Sequence, residues 1–310
     1  MRPKDIVRGA ALKEALKKFS LATRPLPGLG SLGTIDSLVE QIVESMRRIE
    51  YVRLIHRMPH DPACGDPASD LFDPLIAASL AGRNGQVDEA CWLVFLSVHF
   101  GKHRRSGWRL VRAVYGALGS SQRWDWERIS SHPAAFGHWL QLHEARLREL
   151  GVGFGNHRKY ESLKPGPRGT ATAIESYVAW VHPHGDHAGL VSEARKMVGG
   201  NPGKLFDHLY SSMGGVMRFG RMAKFDFLTM LGKLELAAIE PAIPYLSGAT
   251  GPLRGARLLF GGTPAAAIAY RTLDEWVAEL GAGLGAGMQV MEDALCNWQK
   301  SPDRFIAFRG

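Results

Sequence analysis

The chain has 310 residues, with 38 Lys or Arg against 30 Asp or Glu, so its formal net charge is +8. Its 45% hydrophobic and 22% charged residues are typical of a soluble globular protein and exclude a disordered chain, a collagen-like fibre and a disulfide scaffold. The length allows one large domain or two ordinary ones.

The three cysteines form no C-x-x-C pair, so no thiolate zinc site or iron–sulfur cluster is expected. Their sparse use indicates a reducing cytoplasm. No run of about 18 apolar residues is present, so we expect no membrane span and no membrane partner.

The positive charge is concentrated in one segment. Residues 101–170 hold 13 Lys or Arg against five Asp or Glu, which is a net +8, whereas the other 240 residues carry 25 charges of each sign. A basic segment on a balanced scaffold predicts a polyanion partner. A solvated basic face is the alternative.

Hydrophobic spacing predicts helices almost throughout the chain. In chain order they cover Ser37 to His56, Ala90 to Phe100, Arg104 to Leu118, Phe136 to Leu150, Thr172 to Val181, Gly189 to Val198, Lys204 to Met213, Phe219 to Leu234, Leu273 to Leu284 and Gly287 to Lys300. Thr34 or Asp36 is expected to cap the first helix. Residues 59–74, with four prolines, form a loop. Alternation with a period of two is scarce, so the predicted fold class is all-α and multi-helix.

Two domains are expected. Residues 1–84 form an N-terminal helical region and residues 85–310 form the second domain. The Pro/Gly-rich stretch over 164–170 is the best internal boundary within it.

Two arginine-containing segments suggest anion binding. In Leu246–Phe260 a glycine-containing turn leads into a helix begun by Pro252, whose free N–H groups suit a phosphate, with Arg254 and Arg257 on one face. A plain helix corner is the alternative. In Arg218–Asp226, Arg221 and Lys224 share a helix face near Asp226, which suits an anionic-substrate pocket or a salt bridge.

Three further segments carry polar side chains of interest. Residues 153–161 combine glycines with Asn156, His157, Arg158, Lys159 and Tyr160, which suits phosphate contacts and base stacking or a basic surface loop. In His182–His187 a metal site is less expected than a helix cap by Asp186. On the C-terminal helix, Glu292 and Cys296 share a face, with Glu292 a candidate functional group and Cys296 expected to be inert packing.

These segments together resemble a known family. The pieces GFGNHRKYESL, RFGRMAKFDFLTMLGKL, SGATGPLRGARLLFGG and MEDALCNWQK are similar to the alpha-glutamyl/putrescinyl thymine pyrophosphorylases, with the third clade closest, over roughly residues 85–300. The resemblance implies an all-helical fold like that of the DNA glycosylases, with a helix–hairpin–helix-like element. It implies that residues 85–310 are the catalytic domain.

The resemblance also implies a reaction. An amino acid or polyamine displaces phosphate or pyrophosphate from a phosphorylated 5-hydroxymethyluracil base in DNA, so the chain would be an amino acid:DNA transferase of a bacterium or of a phage-infected host cell. The base would be flipped out of the duplex. No organic cofactor is implied, and a divalent metal on the phosphate stays open. The glycosylase hairpin pattern matches this chain imperfectly. In glycosylases a catalytic Asp follows the hairpin, and Asp274 is the nearest counterpart here, at a somewhat longer spacing.

We assign the candidate residues by these roles. The catalytic candidates are Asp226, Glu292, Arg221, Lys224 and Asp274. The substrate or phosphate ligands are Arg254, Arg257, Asn156, His157, Arg158 and Lys159. The predicted DNA contacts are Lys102, Arg104, Arg105, Arg109, Gly248 and Gly251. The alternative function is a non-enzymatic helical DNA-binding protein or a glycosylase-like repair factor.

Overall fold

The computed structural model describes residues 3–307, and within that range the regular secondary structure is helical with no β-strand. The α-helices are α1 Ile6–Ala22, α2 Leu32–Arg57, α3 Pro74–Arg83, α4 Val87–Phe100, α5 Arg109–Tyr115, α6 Trp126–Ser131, α7 Pro133–Glu149, α8 Thr170–Val181, α9 His187–Val198, α10 Pro202–Ser212, α11 Arg221–Lys233, α12 Gly251–Gly261, α13 Tyr270–Leu284 and α14 Met288–Trp298. The all-α, multi-helix prediction is confirmed. The helix–hairpin–helix-like element stays a prediction.

The chain forms two compact units. The first joins the chain up to Val52 with the chain from Pro241 onward, and the second is Arg53–Glu240. One boundary between the units therefore falls within α2, and the other falls in the segment between α11 and α12. The assignment of residues 85–310 as a catalytic domain, with 1–84 before it, stays a prediction.

The first unit has one apolar core, to which α1, α2, α12, α13 and α14 contribute. Within it α12 packs closely on α14, because glycines face that helix. A Cβ on Gly255 would lie 2.3 Å from the carbonyl oxygen of Leu295, and one on Gly251 would lie 2.6 Å from Cys296 Sγ. Gly251 and Gly255 therefore allow α12 to pack closely on α14, and the DNA contacts assigned to Gly248 and Gly251 stay predictions.

We expect Gly255→Ala to lower the free energy of unfolding by about 1–3 kcal/mol. The new Cβ would clash with the backbone carbonyl of Leu295, which cannot rotate away as a side chain can, so α12 and α14 must move apart. The measurement is the thermal or denaturant midpoint. Gly200→Ala is the matched control, since a Cβ there meets nothing within 4 Å. Equal midpoints for the two variants would show that the α12–α14 contact is not tight.

The second unit is built around α4, whose residues from Ala90 to Phe100 are all buried. Its aromatic side chains stack with those of other helices: Phe95 lies 3.9 Å from Tyr177 and 4.6 Å from Phe219, measured between ring centroids. This buried aromatic cluster holds α8 and the turn before α11 against α4. It provides a rigid base for the loops that follow α4 and precede α11.

Two predicted helix starts are wrong. Helix α2 begins at Leu32, and Ser31 Oγ accepts the Thr34 N–H at 3.2 Å, so Thr34 and Asp36 lie inside the helix. The helix predicted from Arg104 begins at Arg109, because residues 103–107 close a tight turn in which the His103 and Gly107 backbones bond each other at 3.0 and 2.9 Å.

Candidate functional site

The centre of the candidate site is a carboxylate paired with a buried arginine. Asp226 lies on α11, and its Oδ2 is 3.7 Å from Arg158 Nη2. Arg158 is 9% exposed, and its Nε donates to the Val98 carbonyl oxygen at 2.8 Å. The arginine is thus held at the end of α4, whereas the Asp226 side chain keeps 45% of its area accessible.

The surroundings of Asp226 raise its pKa. Desolvation by the dense protein around it is the largest effect, and Arg158, Lys233, His157 and Arg221 oppose it with their positive charges. The Asp226 carboxylate is thus accessible to solvent, and it is also desolvated by the protein around it. Such a group can be reached by a small substrate and is a stronger base than an ordinary aspartate.

The loop that carries Arg158 is docked through two glycines. The Gly155 N–H donates to the Phe100 carbonyl oxygen at 2.7 Å, and a Cβ on Gly155 would lie 2.8 Å from the Gly101 carbonyl carbon. Gly101 has φ +66, which an L side chain rarely adopts. This contact joins two basic segments, residues 101–107 and 153–159, which the sequence presented as separate.

Residues 102–109, here called the basic turn, project cations from the first of these segments. The His103–Gly107 backbone pair closes the turn, and Ser106 Oγ lies 2.8 Å from His103 Nδ1. Exposed cations in it are Lys102, Arg104, Arg105 and Arg109. Within residues 3–307 none of the four makes an ion pair, whereas Arg112, Arg123, Arg148 and Arg158 each have an acidic partner.

A strained arginine ties the second segment to α11. Arg218 has φ +64, its Nε donates to Glu161 Oε2 at 2.8 Å, and its Nη2 donates to the Tyr160 carbonyl oxygen at 2.9 Å. Beneath it the fully buried His99 has its pKa lowered to about 3, by burial and by the charges of Arg158 and Arg218. His99 is therefore neutral, and as a buried side chain it packs beneath the site and does not contact substrate.

Two further cations lie on α11. The Lys224 Nζ lies 4.2 Å from the Tyr210 ring centroid, and desolvation lowers its pKa. Lys233 is only 8% exposed and lies two turns after Asp226, and its positive charge lowers the pKa of Asp226. Lys233 was not predicted as a site residue, although a spacing of seven residues on a helix places it close to the same face as Asp226. Asn156, His157 and Lys159 are exposed on the docked loop.

The remaining predicted site residues lie in the first unit. Asp274 is buried, and its Oδ1 accepts the Leu246 N–H at 2.9 Å, so this carboxylate holds the turn before α12. Arg254 is exposed, Arg257 Nε donates to the Ile268 carbonyl oxygen at 3.4 Å, and Gly248 takes φ +70 in the turn. Glu292 is half-buried on α14. The predicted residues thus form two groups, one in each unit.

The histidine-rich segment caps a helix, as predicted. Asp186 Oδ1 accepts the Gly189 N–H at 2.6 Å at the start of α9. His187 is buried between Asp88 Oδ1, at 2.5 Å, and the Tyr177 hydroxyl, at 2.6 Å. Across the described chain no group of three or more His, Cys, Asp or Glu has the arrangement of a metal site.

No helix among residues 3–307 has the length and apolar character needed to cross a membrane. No curated protein and no solved structure matches the chain. The model of one family matches residues 33–310, a longer range than the resemblance in the sequence motifs covered. The chain therefore belongs to the alpha-glutamyl/putrescinyl thymine pyrophosphorylase clade 3 family, and is an enzyme that acts on modified thymine in DNA with an amine donor.

Proposed function

We propose that this enzyme replaces the phosphate or pyrophosphate of a phosphorylated 5-hydroxymethyluracil base in DNA with the amine of an amino acid or polyamine. The observation that carries the proposal is the accessible, desolvated Asp226 surrounded by Arg158, His157, Arg221 and Lys233. Amine attack needs a base, and departure of a phosphate needs cations, and this site offers both around Asp226.

In the reaction the bond between the 5-methylene carbon and the phosphate oxygen breaks, and a carbon–nitrogen bond forms. Expulsion of the leaving group first would give an exocyclic methylene, which the amine then attacks. The amine is mostly protonated near pH 7, and Asp226 takes up the proton that it must lose. Arg221 and Lys224 stabilise the charge on the departing phosphate.

The amine donor and the DNA use different cations. Arg158 is already engaged by Asp226 and the Val98 carbonyl, so the exposed Lys159 beside it is the better contact for an amino-acid carboxylate. Arg254 and Arg257 stay proposed phosphate ligands, and Glu292 and Asp274 stay proposed catalytic groups. The exposed cations of the basic turn hold DNA phosphates without reading sequence.

The 5-methylene carbon of the target base must come close to Asp226, so the base must leave the stack. We place the reaction in the cytoplasm of a bacterium or of a phage-infected cell, where DNA and the amine donor are both present. No organic cofactor is needed for the displacement, and a divalent metal on the phosphate would aid the leaving group.

The test is a nucleoside mass spectrum. Purified protein is incubated with DNA containing 5-phosphomethyl- or 5-pyrophosphomethyl-uracil and a mixture of amino acids and polyamines, and the DNA is digested. We expect a new nucleoside whose mass equals thymidine plus the amine less two hydrogens. Release of free base would indicate a glycosylase-like factor instead. DNA binding with no change to the modified nucleoside would indicate a non-enzymatic binder.

A further inference from the structure

Tyr160, two residues after Arg158, has an exposed ring although its backbone is held by a hydrogen bond. The Tyr160 side chain is 78% exposed, more than any other tyrosine among the exposed large apolar residues of the described chain. An exposed ring of this size on a protein surface costs apolar hydration unless a partner covers it.

The backbone on both sides of Tyr160 is fixed. Its carbonyl oxygen accepts the Arg218 Nη2 at 2.9 Å, and the next residue, Glu161, binds Arg218 Nε at 2.8 Å. Two residues earlier, Arg158 is buried and bonded to Val98. Arg218 adopts φ +64 to make these bonds, so the fold accepts backbone strain at the residue that holds Tyr160 in place.

The surface around the ring is cationic and partly apolar. Lys159 Nζ lies 5.1 Å from the Tyr160 ring centroid. Met217, which precedes Arg218, is 45% exposed, and Met222, one helical turn before Asp226 on α11, is 42% exposed. The Gly101–Gly155 contact brings the basic turn to the same loop. An exposed aromatic ring on a backbone held by hydrogen bonds, with exposed cations nearby, is an arrangement that can bind an unstacked base between phosphates.

We propose that Tyr160 is a stacking residue for an unpaired DNA base next to the Asp226 site. The ring would lie on the face of a base that has left the helical stack, while the exposed cations of the basic turn hold its flanking phosphates. The proposal rests on the proposed function only in taking DNA as the partner. It deepens that function by naming the group that stabilises the opened strand.

The experiment measures binding of unmodified DNA, so it does not depend on any transferase chemistry. The probes are a single-stranded oligonucleotide with one 2-aminopurine and a duplex with 2-aminopurine at a mismatch. Tyr160→Ala and Tyr160→Leu should weaken affinity by about 5- to 150-fold and remove the fluorescence quenching of the stacked base. Tyr160→Phe should keep both. Tyr51→Ala, at a tyrosine that is 63% exposed in the first unit, is the matched control.

The salt dependence separates stacking from phosphate contact. The slope of log affinity against log salt should be the same for Tyr160→Ala and the wild type, since stacking releases no counterions. Unchanged affinity and quenching in Tyr160→Ala, full retention by Tyr160→Leu, or a shallower slope would each overturn the proposal. Failure of the mass-spectrometric assay with normal stacking would sink the proposed function and leave this inference standing.

Discussion

Replacing Asp226 by Asn is expected to reduce product formation by about 10²–10⁴-fold, the usual contribution of a general base. The amide has nearly the same shape but cannot take up a proton from the incoming amine. The loss should appear in the chemical step, while affinity for DNA stays unchanged. Glu149→Gln, the same change at an exposed carboxylate at the end of α7, is the control and should leave the rate unaffected.

The same variant should not be less stable at neutral pH. The pKa of Asp226 is higher in the folded chain than in the unfolded one, so the folded state binds this proton more tightly. Stability from this group is therefore present at low pH and is lost as the pH rises through the folded pKa. Asn carries no charge and so avoids that loss. In the variant Arg158 keeps its hydrogen bond to the Val98 carbonyl oxygen and its electrostatic attraction to Glu161.

The pH profile gives a second readout of the first prediction. A base works in its ionised form, so the rate should rise with pH through the pKa of Asp226, at a pH above that of an ordinary aspartate. A thermal midpoint that falls together with activity in Asp226→Asn would make Asp226 structural. A normal rate in that variant would remove it from the mechanism.

The double variant Arg104→Ala/Arg105→Ala should bind duplex DNA more weakly, on the order of 30-fold at 0.15 M salt, for two lost phosphate contacts. These two arginines lie at the tip of the basic turn and make no ion pair within residues 3–307. The slope of log affinity against log salt should become shallower by about 1 for each arginine removed. The measurement is a binding isotherm at several salt concentrations.

A matched control is available because some cations of the 101–170 segment are neutralised. Arg148 pairs with Glu144 on α7, so Arg148→Ala should leave the affinity and the salt slope nearly unchanged. If Arg148→Ala and the double variant weaken binding equally, the effect is one of net charge, and the basic turn has no special role.

Much of the fold could be predicted, because helical spacing of apolar residues is a local signal. Helix α4 was predicted within three residues at its start and without error at its end, since its apolar run ends at Gly101. Helices α1, α3 and α6 were not predicted. In α1 the buried residues are Gly9, Leu12, Leu16 and Phe19, and its apolar residues lie on all sides of the helix. Helix α3 is a short alanine-rich segment, and α6 has only six residues.

The site could be predicted in its composition but not in its arrangement. The motifs pointed to Arg158 and Asp226, but assigned them to different roles, and only the fold shows that they pair. The contact between Gly101 and Gly155 joins positions 54 residues apart, and no periodicity encodes it. Close packing on α14 accounts for the lack of a side chain at Gly251, and its assignment as a DNA contact stays a prediction.

The most direct test of the proposed displacement is its stoichiometry. In a single-turnover reaction with pyrophosphorylated or phosphorylated 5-hydroxymethyluracil DNA and one isotope-labelled amine, released phosphate or pyrophosphate and the labelled nucleoside are quantified from the same tube. We expect one labelled nucleoside for each leaving group released, and about 10²–10⁴-fold less labelled nucleoside with Asp226→Asn. Release of the leaving group with return of plain 5-hydroxymethyluridine, and no label in the DNA, would contradict it.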